Sequence, residues 1–107
     1  MPTYNKLVRD KIPQIIAADG KTYTMRVLSD EDYVKELRVK LNEELKEYLA
    51  AKTDKDALEE LADLMELAHA LSVVHRASPE ALEEIRQVKA DKRGGFRDRL
   101  FLIEVED

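Results

Sequence analysis

Apolar positions recur along most of this chain at intervals of three and four residues, the period of helices with one covered face. Residues 4–19 carry Leu7, Val8, Ile12, Ile15 and Ile16, interrupted by Pro13. Proline suits a first helical turn and not an interior, so a short helix is expected to begin near Ile12 and Pro13 and stop at Asp19 and Gly20. Residues 23–28 (Tyr-Thr-Met-Arg-Val-Leu) favour a short strand. Ser29 or Asp30 then caps a long helix with acids in its first turn, running to about Lys52. Thr53 or Asp54 caps the next, which runs to about His75. Ser78-Pro79-Glu80 pairs a cap with a proline at the first helical position, and that helix ends at Lys92 or Arg93 before Gly94-Gly95. Residues 100–105 read as a second strand able to pair with 23–28. The expected fold is all-α: three substantial helices, a short N-terminal one and a small two-stranded ribbon, in one domain over residues 1–107, with no internal repeat or linker.

Composition sharpens this in three ways. Of 107 residues 38% are charged, against about 25% in an average soluble protein, while 6% are aromatic and three are glycine, which favours long solvated helices over a sandwich or barrel. The absence of cysteine excludes a disulfide scaffold and a thiolate zinc site and suits a reducing compartment. No apolar run reaches the ~18 residues of a membrane span, and Met1-Pro2-Thr3 begins no secretory signal, so a cytoplasmic location is expected. The net charge of −5 argues against broad nucleic-acid binding.

The acids are not spread evenly. Glu43-Glu44-Leu45-Lys46-Glu47 and Glu59-Glu60-Leu61-Ala62-Asp63 lie on the two central helices. At ~100° per residue, Leu37, Leu41, Leu45, Tyr48, Leu49 and Val34 fill an arc whose edge is Glu44. Glu47 lies about 60° outside it, and Glu43 points further out. On the next helix Leu64, Leu67, Leu71 and Val74 fall within ~40° of Glu60, with Asp63 about 60° away, so two acids extend an apolar stripe. An isolated buried carboxylate costs several kcal/mol or takes up a proton, whereas a divalent cation satisfies it. Carboxylate oxygens suit Mg²⁺, Mn²⁺ and Ca²⁺, and acids three apart share a helix face, so the pairs Glu44/Glu47 and Glu60/Asp63 on adjacent antiparallel helices could converge on one ion cluster. Acid pairs at this spacing are also common on solvated Glu-rich helices, and spacing alone leaves the two readings evenly matched.

Glu43-Glu44-x-x-Glu47, twelve residues, then Glu60-x-x-Asp63 resembles the metal motif of the all-α nucleotide pyrophosphohydrolases, the MazG and phosphoribosyl-ATP pyrophosphohydrolase superfamily. Tyr4-Asn5-Lys6-Leu7-Val8-Arg9-Asp10-Lys11-Ile12-Pro13 and Lys89-Ala90-Asp91-Lys92-Arg93-Gly94-Gly95-Phe96 are similar to its MazG-like branch of house-cleaning enzymes for non-standard nucleoside triphosphates. The resemblance implies a helical bundle, a homodimer or homotetramer, and Mg²⁺-dependent cleavage between the α and β phosphates to give a nucleoside monophosphate and pyrophosphate, with Mn²⁺ a substitute. It makes Glu44, Glu47, Glu60 and Asp63 the metal ligands, and Glu47 or Glu43 the carboxylate that orients or deprotonates the attacking water.

Cations supply the other half of a triphosphate site. Residues 86–99 hold six basic side chains against two acids, and Lys89 and Arg93 share a helix face. A basic helix C-terminus followed by glycine is ordinary capping by itself. The resemblance turns Lys89 and Arg93 into phosphate contacts, and adds Lys6 and Arg9 to the substrate pocket. His69 falls opposite Glu60 on the wheel and is poorly placed as a ligand. Two other readings remain: phosphoribosyl-ATP cleavage, and a non-catalytic helical interaction module whose acids are solvated. The −5 charge is better read as that of an empty cation site than as solubilising charge. The helix from Asp54 onward is apolar on most sides, more than four elements can cover, which independently indicates a homo-oligomer.

Overall fold

A computed structural model describes residues 2–107 and contains four helices: α1 (Ile12–Ala18), α2 (Asp30–Ala50), α3 (Asp54–Val74) and α4 (Pro79–Arg93). The starts lie where the local chemistry puts them. The Ser29 hydroxyl accepts the Asp32 amide at 3.2 Å, Thr53 accepts that of Asp56 at 3.1 Å, and Ser78 that of Ala81 at 3.1 Å. Each cap satisfies one of the amides that a first turn leaves without an intrahelical partner. Pro13 and Pro79 sit in the first turns of α1 and α4, where no amide is needed. The central helices end one or two residues earlier than the apolar period suggests, α2 at Ala50 and α3 at Val74.

The α3 terminus is unusual. His75 closes the helix, the Arg76 amide donates to the Val73 carbonyl at 3.0 Å and the Ala77 amide to that of Ser72 at 2.9 Å. These two bonds form a Schellman turn, whose left-handed position normally holds glycine. Here Arg76 occupies it, with φ 63°.

Residues 51–53 join α2 to α3, and so short a link lets the two helices pack only side by side and antiparallel. α2 packs on α3 and α3 on α4, whereas α4 does not reach α2 and α1 packs on no other helix among the described residues. Leu37 of α2 and Leu67 of α3 are the buried apolar side chains. Both stand fifteen residues from Lys52, so the antiparallel pairing sets them at one height. The described chain is long and thin, 62 × 36 × 24 Å, with a radius of gyration of 18.3 Å. A compact chain of this length would measure about 13 Å.

The two-stranded ribbon does not form: no strand is present among the described residues. Both segments are mostly exposed, with Val27 in the first and Leu100 to Ile103 in the second open to solvent. Their residue types favour strand, but pairing them means closing a loop of some seventy residues for a lone ribbon, which is marginal in water.

No helix of the described residues is long and apolar enough to cross a membrane.

Arg76 gives a direct test. A left-handed non-glycine residue costs roughly 1–2 kcal/mol, partly offset by glycine's greater freedom when unfolded, so Arg76→Gly should raise stability by about 0.5–1 kcal/mol. Urea denaturation followed by helical circular dichroism reads this out, and an unchanged or lowered midpoint would contradict it.

Candidate metal centre

The acids meet because of the hairpin. Glu44 is eight residues before Lys52 and Glu60 eight after it, so antiparallel packing brings them to the same height between α2 and α3. Glu47, three residues beyond Glu44, shares its side of α2. One carboxylate oxygen from each of Glu44, Glu47 and Glu60 lies within 4.8 Å of the other two. The cluster is graded in depth: Glu44 is buried at 7% exposure, Glu60 is half-buried and Glu47 is exposed. With both carboxyls ionised, the buried Oε2 atoms of Glu44 and Glu60 have no donor in the protein.

Such a group cannot be fully ionised cheaply. Glu44 is pushed up from its ordinary 4.5 to about 8. The chief cause is a proton shared with Glu60, followed by burial and then the negative charges of Glu47, Glu60 and Asp63. At neutral pH the deepest acid therefore holds its proton in the absence of a cation.

Asp63 stands beside this cluster and is engaged elsewhere. The Arg9 guanidinium donates from Nη2 to its Oδ1 at 2.5 Å, tying the N-terminal segment to α3 across 54 positions of sequence. Of the four acids expected as ligands, the structure thus gathers Glu44, Glu47 and Glu60 and gives the fourth to Arg9. Glu43 is half-buried and outside the three-acid group. Lys6 lies over the Tyr4 ring at 5.8 Å, and Lys89 and Arg93 are exposed on α4, which packs against α3 alone. Arg86, in the same basic stretch, pairs with Glu83 at 2.6 Å, with both side chains open to solvent. The shallow depression of about 610 Å³ along α2, lined by Glu31, Val34, Lys35, Arg38, Val39 and Asn42, is separate from the acids.

The Arg9–Asp63 pair had no sequence signal, since nothing local announces a contact between residues 54 apart. The Glu44–Glu60 pairing did have one: their equal distance from the turn.

The donor set is all carboxylate oxygen, without sulfur or imidazole, which matches hard divalent cations such as Mg²⁺, Mn²⁺ or Ca²⁺. Two buried oxygens without donors are what a bound cation would satisfy.

No protein-family model matches the chain, and no solved structure matches it. Over 54 residues it is 50% identical to a curated protein of Mycolicibacterium smegmatis (strain ATCC 700084 / mc(2)155) described as uncharacterized. That alignment takes in 50% of this chain and 55% of the other, so the chain spans about half the length of the relative it matches.

The raised Glu44 carboxyl predicts a pH dependence. In chelator, unfolded Glu44 loses its proton near 4.5 whereas the folded residue keeps it until about 8. Stability from this group is complete below 4.5 and is lost as pH climbs to about 8. Denaturation midpoints at several pH values across that window should fall with pH in the parent, and fall less in Glu44→Gln. Parallel curves for the two proteins would remove the assignment.

Proposed function

We propose that this protein is a divalent-cation-dependent hydrolase that cleaves nucleoside triphosphates between the α and β phosphates, releasing a nucleoside monophosphate and pyrophosphate. The observation that carries the reading is Glu44: a buried carboxyl with an unpartnered oxygen, set between Glu47 and Glu60 on neighbouring helices. Solvated surface acids have no reason to be sequestered in this way, because burial without a partner costs free energy. The likeness of the acidic motif and of both end motifs to the MazG-like house-cleaning enzymes supports the same chemistry, with Mg²⁺ the expected cation and Mn²⁺ its substitute.

Glu44, Glu47 and Glu60 would hold the cation, with Asp63 joining them once Arg9 releases it. When bound, the cation supplies charge neutralisation at the phosphates and a more acidic water. Glu44 gives up its proton on binding, so affinity rises with pH toward 8. Exposed Glu47 has room to accept a proton from the attacking water, with Glu43 on the next turn as the alternative base. Arg9, freed from Asp63, gains a bidentate donor fork suited to a phosphate, and Lys6, Lys89 and Arg93 would add positive charge around the leaving pyrophosphate.

The test is pyrophosphate release across a panel of standard, deoxy and damaged nucleoside triphosphates with Mg²⁺, together with phosphoribosyl-ATP. Glu60→Gln and Asp63→Asn should each lower turnover by about 100-fold or more, as loss of a ligand to a catalytic metal does when charge stabilisation at the phosphates disappears. Calorimetry with Mg²⁺ or Mn²⁺ should show saturable binding that Glu60→Gln abolishes. No metal binding and no pyrophosphate from any substrate would sink the proposal and leave a helical interaction module.

A further inference from the structure

Among the described residues, Arg9 alone pairs with one of the four acids singled out on α2 and α3. Its hold is loose. Nη2 donates to the Asp63 Oδ1 at 2.5 Å, one nitrogen to one oxygen, without the second parallel bond that makes arginine–carboxylate pairs strong. Both side chains stay partly open to solvent, at 54% exposure for Arg9 and 37% for Asp63. Exposed pairs of this kind are favoured over their separated partners by about fivefold or less.

The segment that brings Arg9 there is also lightly held. α1, which follows it, packs on no other helix among the described residues, so Arg9 can shift without unpacking a core. Residues 2–11 carry Lys6, Arg9 and Lys11 against the single acid Asp10, which makes the segment cationic. Asp63 is one turn beyond Glu60 on the same side of α3, so the pair stands at the edge of the acid cluster.

Two kinds of ligand therefore act on Arg9 with opposite sign. A divalent cation among the acids competes with the guanidinium for Asp63 and repels it. A phosphate chain offers oxygens to both prongs of the guanidinium, which the bond to Asp63 does not, and draws it away. Neither ligand finds the partner it needs idle, because each is already engaged by the other.

We propose that the Arg9–Asp63 pair is an exchange latch: it opposes binding of a divalent cation alone and favours binding of the cation together with a pyrophosphate group, so that the site fills with both at once. The inference rests on the reading of Glu44, Glu47, Glu60 and Asp63 as cation ligands and adds to it how their occupancy is controlled. A phosphate contact from Arg9 would by itself mean only that losing Arg9 weakens phosphate binding. The latch also requires that losing Arg9 strengthens cation binding, since such coupling is reciprocal between the two sites.

Calorimetry of the full chain tests this with two titrants, Mg²⁺ alone and the preformed complex of Mg²⁺ with imidodiphosphate, a pyrophosphate mimic that resists hydrolysis. Arg9→Gln should bind Mg²⁺ alone about two- to fivefold more tightly than the parent, because the competitor for Asp63 is gone. The same variant should bind the preformed complex about tenfold or more weakly, because a charge-assisted contact to phosphate is lost. Arg9→Lys keeps the charge and loses the planar fork, so it should stay near the parent for Mg²⁺ alone and still lose affinity for the complex. Damage to the fold would weaken both titrations together and cannot produce shifts of opposite sign. If the parent binds both titrants, and Arg9→Gln fails either to gain affinity for Mg²⁺ or to lose it for the complex, the latch is overturned and the cation reading stands. No Mg²⁺ binding by the parent or either variant would overturn the cation reading and the latch with it.

Discussion

The antiparallel pairing of α2 with α3 forces two carboxyls into one buried place, and the character of the molecule follows from that collision. Leu37 and Leu67 supply apolar contact at one height of the hairpin. Half as far from the turn the same geometry opposes Glu44 to Glu60. Replacing either acid by leucine would give a simpler helical pair, so the conflict is not needed for packing. The protein resolves it in the absence of a cation by keeping a proton on Glu44, which is why that carboxyl sits near 8 instead of 4.5. A neighbouring conflict is met differently, by the guanidinium of Arg9 on Asp63. One charge is removed by protonation and another is balanced by a cation of the chain itself.

These two solutions differ in cost. A proton on Glu44 is withdrawn by raising the pH, whereas the Arg9 pair, with both side chains partly open to solvent, contributes little net stability. Its structural effect is larger than its energy, because α1 packs on no other helix and the N-terminal segment needs such a tether to lie against α3. Arg9 is thus held close to the acids without spending a buried contact on it.

Much of this was legible from residues in a row. The starts of α2, α3 and α4 follow from Ser29, Thr53 and Ser78, because a cap is satisfied by an amide three positions away and needs nothing from the rest of the fold. Helix ends were less legible, since α2 stops where Ala51 turns to extended backbone with no glycine or proline to mark it, and Arg76 fills a left-handed turn for which the sequence offers no glycine. The ribbon expected between 23–28 and 100–105 failed for a related reason: strand-favouring residues do not bring a partner within reach. In the acid cluster the helical wheel placed Glu60 inward, yet it set Glu44 only at an edge. That Glu44 is the deepest of the acids depends on how the two helices cross, and no single-helix projection contains that angle. The Arg9–Asp63 pair was out of reach altogether.

The three-residue link between α2 and α3 does more than reverse the chain. Because Glu44 and Glu60 are counted off equally from its middle, the link works as a caliper whose opening fixes which acids stand opposite one another. Ala51 and Thr53 both have extended backbone, so a residue added there would change the reach of the link, and with it the height at which Glu60 stands opposite Glu44, while leaving both helices intact. Loops of helical hairpins are commonly treated as free to vary in length. In this chain the length of such a loop is part of what sets the acids of α2 and α3 opposite one another.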